Sequence, residues 1–189
     1  MDSKPILLIV GTNRPGANAL KIGKIVEGIY RQLGVPVEVY SLHQMPREIF
    51  DSTSYAQKPA EFVQVQERIV AAKGLHIVTP EYNGSLPGVL KYFIDMLKFP
   101  ESFEHKPVAF VGEAAGIWGA LRPVEQLQAI FGYRNAFVFP ERVFIPKVNE
   151  KLDAQGMMTD ADIVKKLESQ VKGFIAFADC LSTMKAAGK

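Results

Sequence analysis

Residues 5–18 read PILLIVGTNRPGAN, and this stretch decides the fold class. It opens with a nearly continuous apolar run, which is typical of a strand buried on both faces, as parallel strands are. Gly11 ends the run. From Asn18 to Leu33, apolar residues recur at helical spacing, and Gly34 follows as a stop signal. The stretch therefore predicts a central strand, a tight loop and a helix.

The rest of the chain continues the same alternation of apolar runs and helical spacing. Further strands are predicted at 35–42, 74–79, 107–112 and 136–139, the last extended by 143–145, and further helices at 59–73, 85–98, 123–131 and 159–184. Thr159 or Asp160 is the candidate cap of the last helix. Because right-handed crossovers place each helix on a face of the sheet, we expect an α/β fold with a doubly wound parallel sheet of five strands, in a single domain over 1–189. The irregular stretch 43–58 is expected to project as an insertion near the strand ends.

Composition and charge argue against several classes of protein. The 189 residues are 48% apolar and 22% charged, which suffices for one domain to bury a full core. The formal net charge of +2 comes from interspersed charges of both signs, so no basic stripe indicates nucleic acid as a partner. No apolar stretch approaches the length of a membrane-spanning helix, and no export signal is recognisable. With Cys180 as the only cysteine, we expect a cytoplasmic location and no membrane insertion.

The loop between the first strand and the first helix has the residues of a phosphate site. Thr12, Arg14 and Asn18 offer a hydroxyl, a guanidinium and an amide just before the helix, whose N–H groups and dipole favour an anion. Gly11 and Gly16 are too far apart for G-x-G-x-x-G, and no Gly-Lys-Ser/Thr ending is present, so a terminal phosphomonoester fits better than a pyrophosphate. The alternative is a plain turn with Arg14 as a solvated surface charge.

A second special loop, residues 80–88, reads PEYNGSLPG and follows the third strand. In open parallel sheets, ligands bind outside the carboxyl ends of the strands, where this loop and the first one are expected to lie. Gly84 lets main-chain N–H groups approach a flat ligand, and Tyr82 and Asn83 could frame a planar ring system. The alternative is an Asn-Gly turn with a buried tyrosine.

Together the two loops resemble those of the NAD(P)H-dependent FMN reductase family, over about Pro5 to Phe139. That family has a flavodoxin-like fold of strand order 2-1-3-4-5 and includes flavin, quinone, azo-dye and chromate reductases. The resemblance implies that the FMN phosphate is held by Thr12, Arg14, Asn18 and main-chain groups of Ala19 and Leu20. It implies that the isoalloxazine ring is lined by Pro80, Glu81, Tyr82, Asn83 and Gly84.

A third loop, residues 112–122, reads GEAAGIWGALR and resembles the family's glycine-rich loop, from which it also departs. Members usually carry a serine near position 112 and a Gly-Gly pair where this chain has Gly119-Ala120. Gly116, Gly119 and Arg122 agree with that pattern, whereas Glu113 and Trp118 are not expected from it. The predicted flavin-binding set takes Ser85, Glu113 and Gly116 from the second and third loops. Trp118 could form a wall over the ring, lie in a subunit contact or be an ordinary half-buried tryptophan.

The chemistry implied by the resemblance is a hydride transfer from NADPH or NADH to FMN N5, and then to a small acceptor such as a quinone, an azo compound, free flavin or chromate. Because the cofactor carries this chemistry, no catalytic side chain is predicted. His43, His76 and His105 are scattered along the chain, and we predict them to be structural or solvated. With a single cysteine besides, no metal site is expected.

The sequence leaves open two alternative functions and the oligomeric state of the protein. The first alternative is a flavodoxin-type electron carrier, although carriers are usually acidic and lack the second loop. The second is a non-catalytic flavin-binding protein. The resemblance also implies a homodimer or homotetramer formed through the helices that follow the third and fourth strands, with contacts from Tyr92, Phe93, Met96, Leu97, Val124, Leu127 and Ile130. The alternative is that these residues only face their own sheet.

Overall fold

A computed structural model describes residues 4–187 of the chain, and it describes side chains as far as Ser182. Five parallel strands form one sheet in the order β2-β1-β3-β4-β5. The strands are β1 (Ile6–Val10), β2 (Val37–Ser41), β3 (Gly74–Pro80), β4 (Pro107–Glu113) and β5 (Phe137–Ile145). The helices are α1 (Asn18–Gln32), α2 (Ala60–Ala71), α3 (Gly88–Asp95), α4 (Leu121–Tyr133) and α5 (Ala161–Ala187). The predicted fold class and strand order are confirmed.

The sheet separates two apolar layers, because side chains on a strand alternate between its faces. Leu7 and Ile9 face one layer, which is completed by α2, α3 and α4. Ile6, Leu8 and Val10 face the other, which is completed by α1 and α5. Since β1, β3 and β4 are buried along their whole length, the ends of these central strands are held in fixed positions. The buried strands therefore fix the positions at which the loops after β1, β3 and β4 begin.

Several predicted boundaries differ from the structure. Helix α3 ends at Asp95 instead of residue 98, and Pro100 a few residues later disfavours helical geometry at the residue before it. Strand β5 is continuous through Pro140 because its pairing with β4 is irregular between Val108 and Phe110, where a proline is tolerated. The cap of α5 is Asp160, whose carboxylate accepts hydrogen bonds from the backbone N–H groups of Asp162 and Ile163.

The segment 43–58 is more ordered than the sequence indicates. Short 3-10 helices cover Leu42–Gln44, which begins one residue before the segment, Arg47–Phe50 and Ser52–Tyr55. Tyr92 of α3 donates a hydrogen bond of 2.6 Å to the carbonyl oxygen of Ile49, which ties the segment to the helix layer. No helix within residues 4–187 combines the length and the apolar content that crossing a bilayer requires.

His76 lies in the middle of β3 and is fully buried, as predicted. Its Nδ1 is 2.9 Å from the hydroxyl of Tyr30, and burial lowers the pKa of His76 to about 4. The imidazole is therefore neutral at physiological pH and forms part of the core. Its position on the α1 and α5 side of the sheet gives it a structural role.

The set of side chains predicted for a subunit interface is largely wrong. Five of its members are buried in the chain's own core, namely Phe93, Met96, Leu97, Val124 and Leu127. Tyr92 and Ile130 are only partly buried. The exposed apolar side chains near α3 and α4 are instead Phe99 and Tyr133, at 57% and 81% exposure. Apolar helical spacing identified the buried face of each helix, because the sheet is the first partner that this face meets.

Candidate functional site

The three predicted loops meet at the carboxyl ends of β1, β3 and β4. There they enclose a cavity of about 340 Å³ lined by Arg14, Pro15, Gly16, Ala17, Asn18, Pro80, Glu81, Tyr82, Glu113, Ala114, Ala115, Val148 and Asn149. A smaller cavity of about 160 Å³ shares Glu81 and residues 114–115 with it. Asn83, Gly84, Gly116 and Trp118 complete the lining of this smaller cavity. The topology thus brings side chains from distant parts of the sequence into one cleft.

Thr12 connects the first loop to the second. It is fully buried, its hydroxyl lies 2.8 Å from the hydroxyl of Tyr82, and it accepts a hydrogen bond of 3.1 Å from the N–H of Arg14. Two residues predicted as separate ligand contacts therefore bind each other. The contact fixes the backbone at Arg14, whose side chain is exposed at the cavity.

The start of α1 has no side-chain cap from its own cap residue, Ala17. Within the described residues, no side chain of the cap position accepts a hydrogen bond, and the first turn contains no acidic residue. Such a helix start attracts an anion through its N–H groups and its dipole. The Asn18 side-chain amide donates a bond of 2.7 Å to Asn149, and the Leu20 N–H already donates to the Ala17 carbonyl.

Glu113 places a titratable carboxyl group beside this helix start. It ends β4, is only 5% exposed, and accepts a hydrogen bond from the N–H of Ala19. Burial raises the pKa of Glu113 to about 7, although the bond from Ala19 acts in the opposite direction. An N–H group predicted to bind phosphate is thus in contact with a carboxyl group of the chain itself.

The second loop contains a tight hairpin turn. Tyr82 and Ser85 exchange two backbone hydrogen bonds of 3.0 and 3.1 Å, and Asn83 and Gly84 between them have φ values of 53° and 74°. This is the type I′ geometry that Asn-Gly favours. The Ser85 hydroxyl donates a 2.8 Å bond to Gln126 of α4, which anchors the turn. The Asn-Gly turn expected from one reading of the sequence is present, and it forms part of the cavity lining.

The third loop packs too closely against its neighbours to accept larger residues at two glycines. A Cβ atom at Gly112 would lie 2.7 Å from the carbonyl oxygen of Gly119. A Cβ atom at Gly119 would lie 2.8 Å from the backbone nitrogen of Pro146, and Gly119 has a φ of 57°. This packing directs Trp118 outward, and at 55% exposure it lines the smaller cavity.

Glu81 lies where the two cavities join. Its Oε1 is 3.8 Å from the guanidinium of Arg122 at the start of α4. Its Oε2 is buried, and no hydrogen bond to it is formed by any described residue. Among the side chains in the described part of the chain, no group of three or more His, Cys, Asp or Glu is arranged to hold a metal ion.

Sequence reasoning missed several residues that shape this site. Val148 and Asn149 reach the cavity from the segment after β5, and Gln126 holds the second loop from α4. His43 Nδ1 lies 3.2 Å from the carbonyl oxygen of Asn13 and so borders the first loop. Asn149 lies shortly after the end of β5, just as the other loops of the site follow the ends of their strands. This position after a strand is the only signal in the sequence that could have identified Asn149 as a site residue.

The residues present fit an FMN phosphate in most respects. The uncapped start of α1, the exposed guanidinium of Arg14 and the polar cleft supply what a phosphate needs. Apart from its chain neighbours, no described atom lies within 4 Å of a Cβ added at Gly84, so the second loop leaves room for a flat group. The carboxyl groups of Glu113 and Glu81, which line the same cavity, oppose a phosphate.

Comparisons with known proteins agree with this geometry. The family model described as NADPH-dependent FMN reductase matches residues 5–150. The chain is 31% identical over 144 residues to an NAD(P)H-dependent FMN reductase of Pseudomonas aeruginosa, covering 74% of this chain and 76% of that protein. It is 35% identical over 123 residues to a quinone reductase of Escherichia coli (strain K12), covering 63% and 65%. The solved structure of a flavoenzyme NAD(P)H:(acceptor) oxidoreductase from Paracoccus denitrificans superposes with a TM-score of 0.77 at 25% identity, covering 93% of this chain and 97% of that one.

The fold and these likenesses define a flavodoxin-like flavoprotein oxidoreductase. Within that class, the chain belongs to the NADPH-dependent FMN reductase family, and it is an NAD(P)H-dependent reductase with FMN as its cofactor. The predicted family, activity and cofactor are confirmed. Family membership also favours a reductase over the two alternatives, an electron carrier and a non-catalytic flavin-binding protein.

Proposed function

We propose that FMN binds across the two adjoining cavities, with its phosphate in the 340 Å³ cavity at the start of α1 and its ring against the Tyr82–Ser85 turn. NADPH or NADH and a small acceptor then bind in turn over the ring. The observation that carries this proposal is the convergence of three strand-end loops on one cleft. Ligands of open parallel sheets bind at this edge.

The first loop would hold the phosphate through charge and backbone donors. Arg14 can form charge-assisted hydrogen bonds to phosphate oxygens, and the α1 start adds the helix dipole. Thr12 orients Arg14 by accepting a hydrogen bond from its backbone N–H. The contact between the hydroxyl groups of Thr12 and Tyr82 also couples the first loop to the second loop. Asn149 holds the side chain of Asn18 and thereby supports the first helical residue.

The second loop would support the ring. Bound FMN supplies the hydride chemistry at its N5 atom. The N–H groups of Asn83 and Gly84 take no part in the two hydrogen bonds that close the turn, so they would stabilise negative charge that develops near the ring. This division of roles supports the prediction that no catalytic acid or base is required.

We propose a quinone-class acceptor for the second half of the reaction. Trp118, Ala114 and Ala115 give the smaller cavity an apolar part of its lining, which suits a flat, uncharged molecule. The similar Escherichia coli protein is a quinone reductase by name, and a relative from Burkholderia that is 30% identical is named 2-hydroxy-1,4-benzoquinone reductase. Azo compounds, free flavin and chromate are the competitors to include in an acceptor panel.

We expect FMN-loaded protein under argon to lose its flavin absorbance when NADPH or NADH is added, and to regain it when a benzoquinone follows. Stopped-flow absorbance measures both steps, and the same concentrations of FMN and nicotinamide without protein serve as the control. Failure to take up FMN, or bleaching no faster than in that control, would contradict the proposal. Reduction that requires a separate reductase protein would indicate an electron carrier.

We further propose that the protein forms a homodimer or homotetramer through the outer side of α3 and α4. The support is a groove of about 480 Å³ lined by Ile94, Phe99, Ile130, Tyr133 and neighbouring residues, with two strongly exposed aromatic side chains. Analytical ultracentrifugation should give a multiple of the 20.9 kDa chain mass, and Tyr133→Ser should shift the equilibrium toward smaller species. A monomeric mass for the unaltered protein is the contrary result.

We also propose a cytoplasmic location, which the single cysteine supports.

A further inference from the structure

Glu113 occupies a position in the cavity that the proposed phosphate also needs. Its side chain shares the cavity lining with Arg14, Ala17 and Asn18, and it accepts a hydrogen bond from the N–H of Ala19. That N–H belongs to the first turn of α1, which among the described residues has no acidic side chain of its own. Glu113 therefore acts as an internal anion for the helix start.

Two anions in one buried site oppose each other. The charged or titratable groups that line this cavity besides Glu113 are Arg14 from the first loop, and Glu81 and Tyr82 from the end of β3. The segment after β5 contributes Val148 and Asn149, which carry no charge. Arg14 is exposed, so water screens its charge, and Glu81 adds a second carboxylate. These groups leave a phosphate and an ionised Glu113 without full compensation.

We propose that Glu113 sets the pH dependence of FMN retention: its carboxylate competes with the phosphate for the start of α1, and FMN binds together with one proton taken up by Glu113. The proposal rests on the placement of the phosphate given under the proposed function. The proton comes from solvent and converts the Glu113 carboxylate to a neutral carboxyl group. No other bond forms or breaks. Protonated Glu113 can remain beside the phosphate and donate a hydrogen bond to it.

The direction of the effect follows from proton linkage. Burial raises the pKa of Glu113 to about 7 in the free protein, so the group is already protonated in acid and FMN affinity is independent of its titration there. Above that pKa, one proton must be taken up for each FMN bound. The dissociation constant then rises by up to about tenfold for each pH unit. The enzyme would retain FMN below neutral pH and exchange it above.

The test is a titration of flavin-free protein with FMN between pH 5.5 and pH 8.5, followed by flavin fluorescence. We expect the dissociation constant of the unaltered protein to rise by about 10- to 30-fold from pH 7 to pH 8.5. Glu113→Gln should bind FMN more tightly at pH 8.5 and show no such rise. Glu81→Gln is the matched control, because it removes the other cavity carboxylate and should keep the slope of the unaltered protein. Riboflavin lacks the phosphate and should show no such rise with any of the three proteins.

A further readout separates the possible outcomes. Titration calorimetry at pH 8 in buffers of different ionisation enthalpy should detect uptake of about one proton by the unaltered protein and none by Glu113→Gln. The second ionisation of the FMN phosphate, near pH 6, is common to all the proteins and cancels in the comparison. Equal slopes for the unaltered protein and Glu113→Gln would overturn the role of Glu113 but leave the FMN site standing. Absence of FMN binding by both proteins at every pH would overturn the proposed site and this inference together.

Discussion

Gly119→Ala is expected to lower the free energy of unfolding by about 3 kcal/mol, the sum of the costs of a left-handed backbone and of overpacking. The φ of 57° at this residue is unfavourable for any residue with a side chain. In addition, the new methyl group would lie 2.8 Å from the backbone nitrogen of Pro146 and 2.9 Å from that of Ile145. These are main-chain atoms of β5 and its exit, so they cannot rotate away. Urea titration of the purified variant measures the effect.

Gly116→Ala provides the matched control in the same loop. In the part of the chain that the structure describes, no atom beyond the chain neighbours lies within 4 Å of a Cβ added at Gly116, and its φ is not left-handed. Its substitution should therefore change the free energy of unfolding by less than about 0.5 kcal/mol. Equal losses for the two variants would show that the close packing of Gly119 against β5 does not stabilise the protein. Since the loop carries Trp118 at the smaller cavity, Gly119→Ala should also weaken the binding of acceptors at the rim.

Arg14→Ala is expected to raise the dissociation constant for FMN by about 10- to 100-fold, because the charge-assisted hydrogen bonds it removes contribute about 1.5–3 kcal/mol. The stability of the fold should change little, since the side chain is exposed and only its backbone is held by Thr12. Fluorescence titration with FMN at a fixed pH measures the loss. Arg14→Lys should retain part of the affinity, because an ammonium group keeps the charge but loses the bidentate geometry.

The control for Arg14 is Arg31→Ala at the far end of α1. Arg31 is exposed and pairs with Glu27 in the same helix, so its loss should leave FMN affinity unchanged. Riboflavin affinity should be nearly equal in all these proteins because riboflavin lacks the phosphate. Unchanged FMN binding by Arg14→Ala would remove this residue from the site.

The sequence predicted the central layers of the fold well because burial leaves a clear pattern. The apolar runs at residues 5–10, 74–79 and 107–112 correspond to β1, β3 and β4, which are buried on both sides. Boundaries at the periphery were harder to place. Pro140 interrupts the apolar pattern of β5 but not the strand, because an irregular register accommodates a residue without an N–H.

The site was predictable in its position but not in its internal contacts. The strand-end rule identified the loops at residues 11–18 and 80–88, which do line one cavity. The hydrogen bond between Thr12 and Tyr82 joins residues that are 70 positions apart, so local spacing cannot indicate it. Glu113 differs from the family pattern. Only the folded structure, in which the end of β4 lies beside the start of α1, shows that its carboxyl group is buried next to Ala19.

The outward position of Trp118 gives the protein a built-in optical reporter. Because the chain contains a single tryptophan, the indole emission of the native protein arises at the rim of one cavity and nowhere else. The wavelength of the emission maximum reports how far the Trp118 indole is exposed to water. A molecule that enters the cleft displaces water there, so quenching or a blue shift would register its arrival without any label attached.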